Sequence, residues 1–243
     1  MIQSRCGHMK IVVLLFVVIS CSAFGQKQKP ENYHRFDQKT FHFGFMLGVN
    51  VSDFTMYQVP DVYGKYGITS IENQSAPGGQ VGPLISMNLG TPIVRLRFIP
   101  SISFQERHIN YQFEDSTVTG SFFNKEKVEL TTLDFPLMFQ FRTKRLNNFA
   151  AYGLVGMQYS IDLQSQEDAS QSFTDPFIKI KKNDFQGQVG GGIEFFTPYF
   201  KFGLELKYSH SVSNSLIQDN TVVSEPIDRL YNRVWWFSLI FEG

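Results

Sequence analysis

Seven charged residues stand where apolar strand residues would be ordinary. Arg95 and Arg97 flank Leu96, and Asp134 sits between Leu133 and Phe135. Glu194 follows Gly190-Gly191-Gly192, and Lys201, Glu205 and Lys207 share one parity of an aromatic run. Residues of one parity in a strand share a face, so each of these groups projects to the side opposite its apolar neighbours. Two chemistries suit such a set. It can line a charge-selective channel, or it can pair off into ion pairs and hydrogen bonds that fill a narrow interior.

Other candidate chemistry is weaker. Ser209-His210-Ser211 places a hydroxyl beside a base, but no acid is spaced to orient that base as a triad requires. His34, His42 and His108 are scattered without metal-ligand spacing. Gly190-Gly191-Gly192 precedes no helical pattern, so it does not read as a phosphate loop. Asp53, Asp61, Glu72, Asp162, Glu167, Asp168, Asp175 and Asp219 fall in stretches that read as loops. Solvation is their ordinary role, with surface calcium as the alternative. The chain therefore reads as non-enzymatic, with no cofactor and no small-molecule substrate. Its net formal charge is zero, which offers nothing to nucleic acid.

The elements that carry these residues have a period of two. Leu133, Phe135, Leu137, Phe139 and Phe141 alternate with Asp134, Met138 and Gln140. After the basic connection Thr143–Asn148, Ala151, Gly153, Val155, Met157, Tyr159 and Ile161 continue on one parity. Phe41 to Val51, Val81 to Leu89, Val94 to Gln105, Phe185 to Phe196, Phe200 to Tyr208 and Tyr231 to Phe241 repeat the pattern. Each run suits the 9–11 tilted residues that cross a bilayer. The connections alternate long and short: Asp53–Gly78, Gly90-Thr91-Pro92, Glu106–Phe123, Thr143–Asn148, Asp162–Asn183, Thr197-Pro198-Tyr199 and Ser211–Leu230. Long loops outside the cell and short periplasmic turns are the rule of outer-membrane barrels. The expected fold is all-β, an eight-stranded antiparallel up-and-down transmembrane β-barrel with outer-membrane lipid around it. Most of the 25 phenylalanines of the chain then sit on its outer face and in two interfacial girdles. A soluble lipocalin-like barrel, the rival fold, would turn them inward and would not need alternating connections. Eight strands enclose only enough room for side chains. Arg95, Arg97, Asp134, Glu194, Lys201, Glu205 and Lys207 are accordingly expected as a structural polar network in the lumen.

Met9-Lys10 followed by Ile11–Ile19, with Ala23-Phe24-Gly25 as a cleavage site, reads as a signal peptide over residues 1–25, and Met9 is an alternative start. Both cysteines, Cys6 and Cys21, lie in it, so the mature chain has no thiol chemistry. Val18-Ile19-Ser20-Cys21 also resembles a lipobox. Residues 26–40 read as a periplasmic lead and residues 41–243 as the barrel domain. Two local features break the pattern. Val128, Leu130 and Thr132 oppose the apolar parity of Leu133–Phe141, which predicts a bulge near Thr132–Asp134. Pro136 lies inside a strand, where it removes a ladder donor.

Leu133-Asp134-Phe135-Pro136-Leu137-Met138-Phe139, Tyr152 to Gly156, Gly190-Gly191-Gly192-Ile193-Glu194 and Glu205-Leu206-Lys207-Tyr208-Ser209 resemble the strand motifs of the Bacteroidetes outer-membrane β-barrel family. Arg35-Phe36-Asp37-Gln38-Lys39, the His42-Phe43-Gly44-Phe45 strand and Leu96 through Arg107 resemble the PorT-type barrels within it. Those are components of the type IX secretion system, which exports proteins and supports gliding. The resemblance implies heteromeric partners among the other secretion subunits and brings no catalytic residues. The alternative is an adhesin or ligand-binding barrel acting through its long extracellular loops.

Overall fold

The computed structural model describes residues 32–33, 36–62, 68–114, 121–165, 167, 177–219, 221 and 223–243. Residues 1–31, which hold the expected signal peptide and both cysteines, lie outside the described residues. Among the described residues nine strands follow one another: β1 (Phe41–Gln58), β2 (Ile68–Asn88), β3 (Val94–Phe98), β4 (Ser101–Glu114), β5 (Ser121–Arg142), β6 (Phe149–Asp162), β7 (Asn183–Phe196), β8 (Lys201–Ser211) and β9 (Ile227–Glu242). All neighbours are antiparallel. β9 closes on β1 with Phe45 opposite Phe241, and β1 pairs β2 on its other side. β3 and β4 occupy one stave between β2 and β5, so the closed wall has eight staves.

Parity sorts the side chains. Phe41, Phe43, Phe45, Leu47, Val49 and Val51 of β1 are exposed on the outer wall, while His42, Met46, Asn50 and Ser52 are buried inside. The same division holds for Val155 and Met157 against Leu154 and Gln158, and for Trp235 and Phe237 against Trp236 and Ser238. Closure leaves no strand edge in the apolar zone, as hydrocarbon requires. Cross-strand phenylalanines form a row that winds round the wall from Phe45 through Phe241, Phe202 and Phe195 to Phe149. Ten residues up β9, Tyr231 packs against Tyr57 and His210, near Tyr208 and Trp235. Ten residues at ~3.3 Å along a strand tilted by ~40° give a band ~25 Å tall, the height of an outer-membrane apolar zone.

Two expectations change. The stretch read as a long loop at Asp53–Gly78, and that at Glu106–Phe123 read as a strand end followed by a long loop, are largely strand, because β1, β2, β4 and β5 continue well past the last lipid-facing residues. There is also no bulge at Thr132–Asp134. β5 stays in register with β4 from Ser101↔Asp134 to Glu114↔Ser121, and with β6 from Thr132↔Asp162 downward. Leu130, Thr132 and Asp134 all point inward and are buried. The parity change marks a change of surroundings, not of register. Beyond the band the outer face meets water and carries Lys127 and Glu129, while the inner face is apolar.

Candidate functional site

The interior is stacked in layers that can be read along single strands. Inward residues of β1 run His42, Met46, Asn50, Ser52, Phe54, and those of β9 run Glu242, Ile240, Ser238, Trp236, Val234, Asn232, Leu230. Ionic, apolar, polar and again apolar layers follow from the end that carries the short turns.

The ionic layer gathers six of the seven residues expected in the lumen. Arg97 donates to Glu205 and to Glu242, each at 2.7 Å, and lies 3.6 Å from Glu194. Lys201 bridges Glu194 at 2.8 Å and Glu242 at 2.6 Å. Arg95 lies 4.0 Å from Glu194, and Lys207 lies 3.2 Å from Glu205. Tyr152 donates its hydroxyl to Glu205 at 2.9 Å. A Cβ added at Gly192 would fall 2.5 Å from that hydroxyl, so glycine there makes room for the ring. Asp134 stands apart, in the polar layer, where it accepts from Ser103. Charges this deeply buried are tolerated only when paired and hydrogen-bonded.

Sequence reasoning missed several members. Glu242 and Arg142 lay on the inward parity of their strands and were legible there. Asp37 was not. It belongs to the stretch read as a lead, yet it pairs with Arg95 at 3.1 Å, Arg142 at 2.8 Å and Arg145 at 3.5 Å. Phe36–Gln38 form one 3-10 turn, and Phe36 is fully buried among His42, Phe196, the Arg95 guanidinium and the Lys201 ammonium. Asn32 hydrogen-bonds to Asn148 and to the Phe196 carbonyl. The described part of the lead is thus a plug in the mouth beside the short turns.

Above the ionic layer, Met46, Leu84, Ile99 and Ile240 form an apolar layer. Next comes a polar layer in which Asp184 accepts from Gln186, Ser211 and Asn232, and Arg107 donates to Gln105 and packs over Phe54. The far end is closed by a second core built on Phe54, Ile68, Ile71, Ile109, Tyr111 and Ile227. Ile178, Ile180, Leu216 and Val223 of the connections join it, and Tyr111 donates to the Val223 carbonyl at 2.7 Å. This head carries a cavity of about 300 Å³ lined by Lys127, Leu130, Asp162, Gln164, Ile178 and Ile180. On its outer face Lys127 lies 2.5 Å from Glu129 and 3.2 Å from Glu106. Hydrogen bonds to those carboxylates hold its ammonium above the usual lysine range.

The remaining candidates are dispersed. Ser209 faces the lumen and accepts from Trp236 at 2.8 Å, whereas His210 packs outside against Tyr208 and Tyr231, so the two belong to opposite faces. His42 bonds to the Phe36 carbonyl, and His108 pairs with Glu106 at 2.9 Å. His34, Asp168 and Asp175 lie outside the described residues. Among the described residues no three His, Cys, Asp or Glu side chains gather as a metal site, and no helix is long and apolar enough to cross a membrane.

The outer membrane protein OprG from Pseudomonas aeruginosa superposes with a TM-score of 0.45 at 13% identity, over 83% of this chain and 92% of that one. Ail, the attachment invasion locus protein of Yersinia pestis, gives 0.37 at 13% identity over 84% of this chain and 100% of that one. No curated protein matches the chain. The model of the outer membrane protein beta-barrel domain matches residues 24–216, and the chain belongs to that family, an outer-membrane β-barrel whose lumen is filled rather than open.

Proposed function

We propose that this chain is a non-enzymatic barrel that assists protein export by the type IX secretion system and acts through partner subunits, not as a conduit. One observation carries the reading. The lumen is occupied from the Phe36–Asp37 plug, through the Arg97–Glu205–Glu242 network and the Met46–Leu84–Ile99–Ile240 layer, to the head core. A barrel filled in this way passes no unfolded or folded cargo, so it contributes to export through its surfaces. The resemblance of Arg35–Lys39, His42–Phe45 and Leu96–Arg107 to PorT-type barrels is what supports the choice of system. The plug residues Phe36 and Asp37 fall within the first of these stretches. Deletion of the gene followed by proteomics of secreted and surface proteins is the test. Loss of many unrelated exported proteins is the expected result, and an unchanged secretome overturns the proposal.

A second reading rests on the head. Its cavity of about 300 Å³, bordered by charged and apolar side chains, suits an adhesin or ligand-binding barrel. In that case the deletion removes adhesion or ligand uptake while export continues.

A further inference from the structure

Three prolines meet in neighbouring strands of the membrane wall. Continuing the β2–β3 register (Ile85↔Phe98) and the β2–β4 register (Val81↔Ile102) places Pro83 opposite Pro100. The β3–β5 and β4–β5 registers (Phe98↔Leu137, Ser101↔Asp134) likewise place Ile99 opposite Pro136. Neither register slips across this point, so the gap between β3 and β4 is not a bulge. The Ile99 amide donates to the Pro136 carbonyl at 3.4 Å, and Pro136 has no amide to return the bond. Since backbone groups of successive residues point to opposite neighbours, those of Pro100 point at Pro83. That pair has no amide on either side. Three of the four ladder bonds around Ile99–Pro100 therefore cannot form.

The surroundings match this gap. The β2–β4 pairing carries a second irregularity just above, between Ser75 and Gly79. Behind the centre of the seam Leu84 and Ile99 are buried beside Met46 and Ile240, with Arg97 and Ser101 buried on either side of Ile99. Other ladders run without a register shift, as in β6–β7 from Phe149↔Phe195 to Ile161↔Asn183 and in β7–β8 from Phe196↔Lys201 to Gln186↔Ser211. In hydrocarbon, backbone hydrogen bonds are what hold adjacent strands together. A wall that lacks them at one place separates there first.

We propose that the seam between β2 and the β3–β4 stave is where this barrel opens, sideways into the membrane, while both its ends stay sealed. The apolar layer of Leu84 and Ile99 lies directly behind the centre of the seam, with Arg97 of the ionic network beside it.

Residue-resolved amide exchange of the full barrel in lipid nanodiscs tests this. The amides of Val81, Ile85, Phe98 and Ile102 bridge the seam. They are expected to exchange at least about tenfold faster than Val189, Ile193, Leu204 and Tyr208, which bridge β7 and β8. The Pro83→Val, Pro100→Val double variant restores two donors and is expected to bring the seam amides to the β7–β8 rate. Equal rates in the unaltered protein overturn the proposal, and this comparison stands even where the variant fails to fold. Fast seam exchange that the variant leaves unchanged overturns it as well, since the prolines are then not the cause.

Discussion

Phe45 stacks on Phe241 with ring centroids 4.8 Å apart and planes 17° from parallel, where the first strand meets the last. Phe241 also touches Phe200 and Phe202. One ring thus ties β1, β8 and the β7–β8 turn to the closing strand. Phe241→Ala is expected to cost about 1.5–3 kcal/mol, most of it lost apolar area. Truncation after Ser238 costs more, because it deletes the Leu47↔Leu239 to Gly44↔Glu242 pairs and the Glu242 carboxylate with them. Heat-modifiable migration on a semi-native gel reports closure. The point variant keeps it and the truncation loses it.

Leu206 projects from the outer wall at 51% exposure, and its neighbour Glu205 is buried in the ionic layer. Leu206→Arg near the midplane is expected to destabilise by about 2–4 kcal/mol, read from folding titrations into vesicles. Leu206→Met stays within about 1 kcal/mol.

Glu194 is fully buried and accepts from Gln140 at 2.6 Å and Lys201 at 2.8 Å, with three guanidiniums within 4.0 Å. Glu194→Gln leaves buried cations without their charge and is expected to cost about 3–5 kcal/mol. Asp37→Asn removes a partly exposed carboxylate and costs less, about 1.5–3 kcal/mol. Urea unfolding midpoints in micelles rank the two, and the reverse order would place the main electrostatic lock in the plug.

Phe36→Ala combined with Asp37→Asn loosens the plug but leaves the Met46, Leu84, Ile99 and Ile240 layer in place. Planar-bilayer recording of this double variant is expected to show no stable conductance. A steady channel would mean that the plug alone seals the lumen.

The head and the short turns lie at opposite ends of the barrel, and the alternation of connection lengths predicts that the head faces outside the cell. A cysteine at Ser165 is expected to react with an impermeant reagent on whole cells, and one at Lys144 is not. Lys144 serves better than Asn147, whose φ of 56° suits few side chains. Labelling at Lys144 alone would invert the orientation.

Period-two alternation in runs such as Phe41–Val51 and Leu133–Phe141 settled the strand class and the lipid-facing wall before any coordinate. A side chain's face depends only on its parity, and lipid demands apolar groups on every outward position. The same parity marked Arg95, Arg97, Glu194, Lys201, Glu205 and Lys207 as inward. It also contained Arg142 and Glu242, which were overlooked because each stood at a strand end. Parity says nothing about height or partner. That Asp134 stands apart from the other six, and that Arg97 reaches Glu205 and Glu242 across the lumen, follows from strand register and barrel closure. Those relate residues more than a hundred positions apart in the chain. The head was hidden for a related reason. Once a strand leaves the membrane its outer face turns polar and its inner face apolar, so Val128 and Leu130 read as a slip in register. Pro83, Pro100 and Pro136 are isolated in the chain, and only the pairing of β2, β3, β4 and β5 brings them to one seam. The plug is the plainest case. Asn32–Thr40 carries no periodic pattern, and its place is decided by a ring and a carboxylate that find three arginines contributed by other strands and turns.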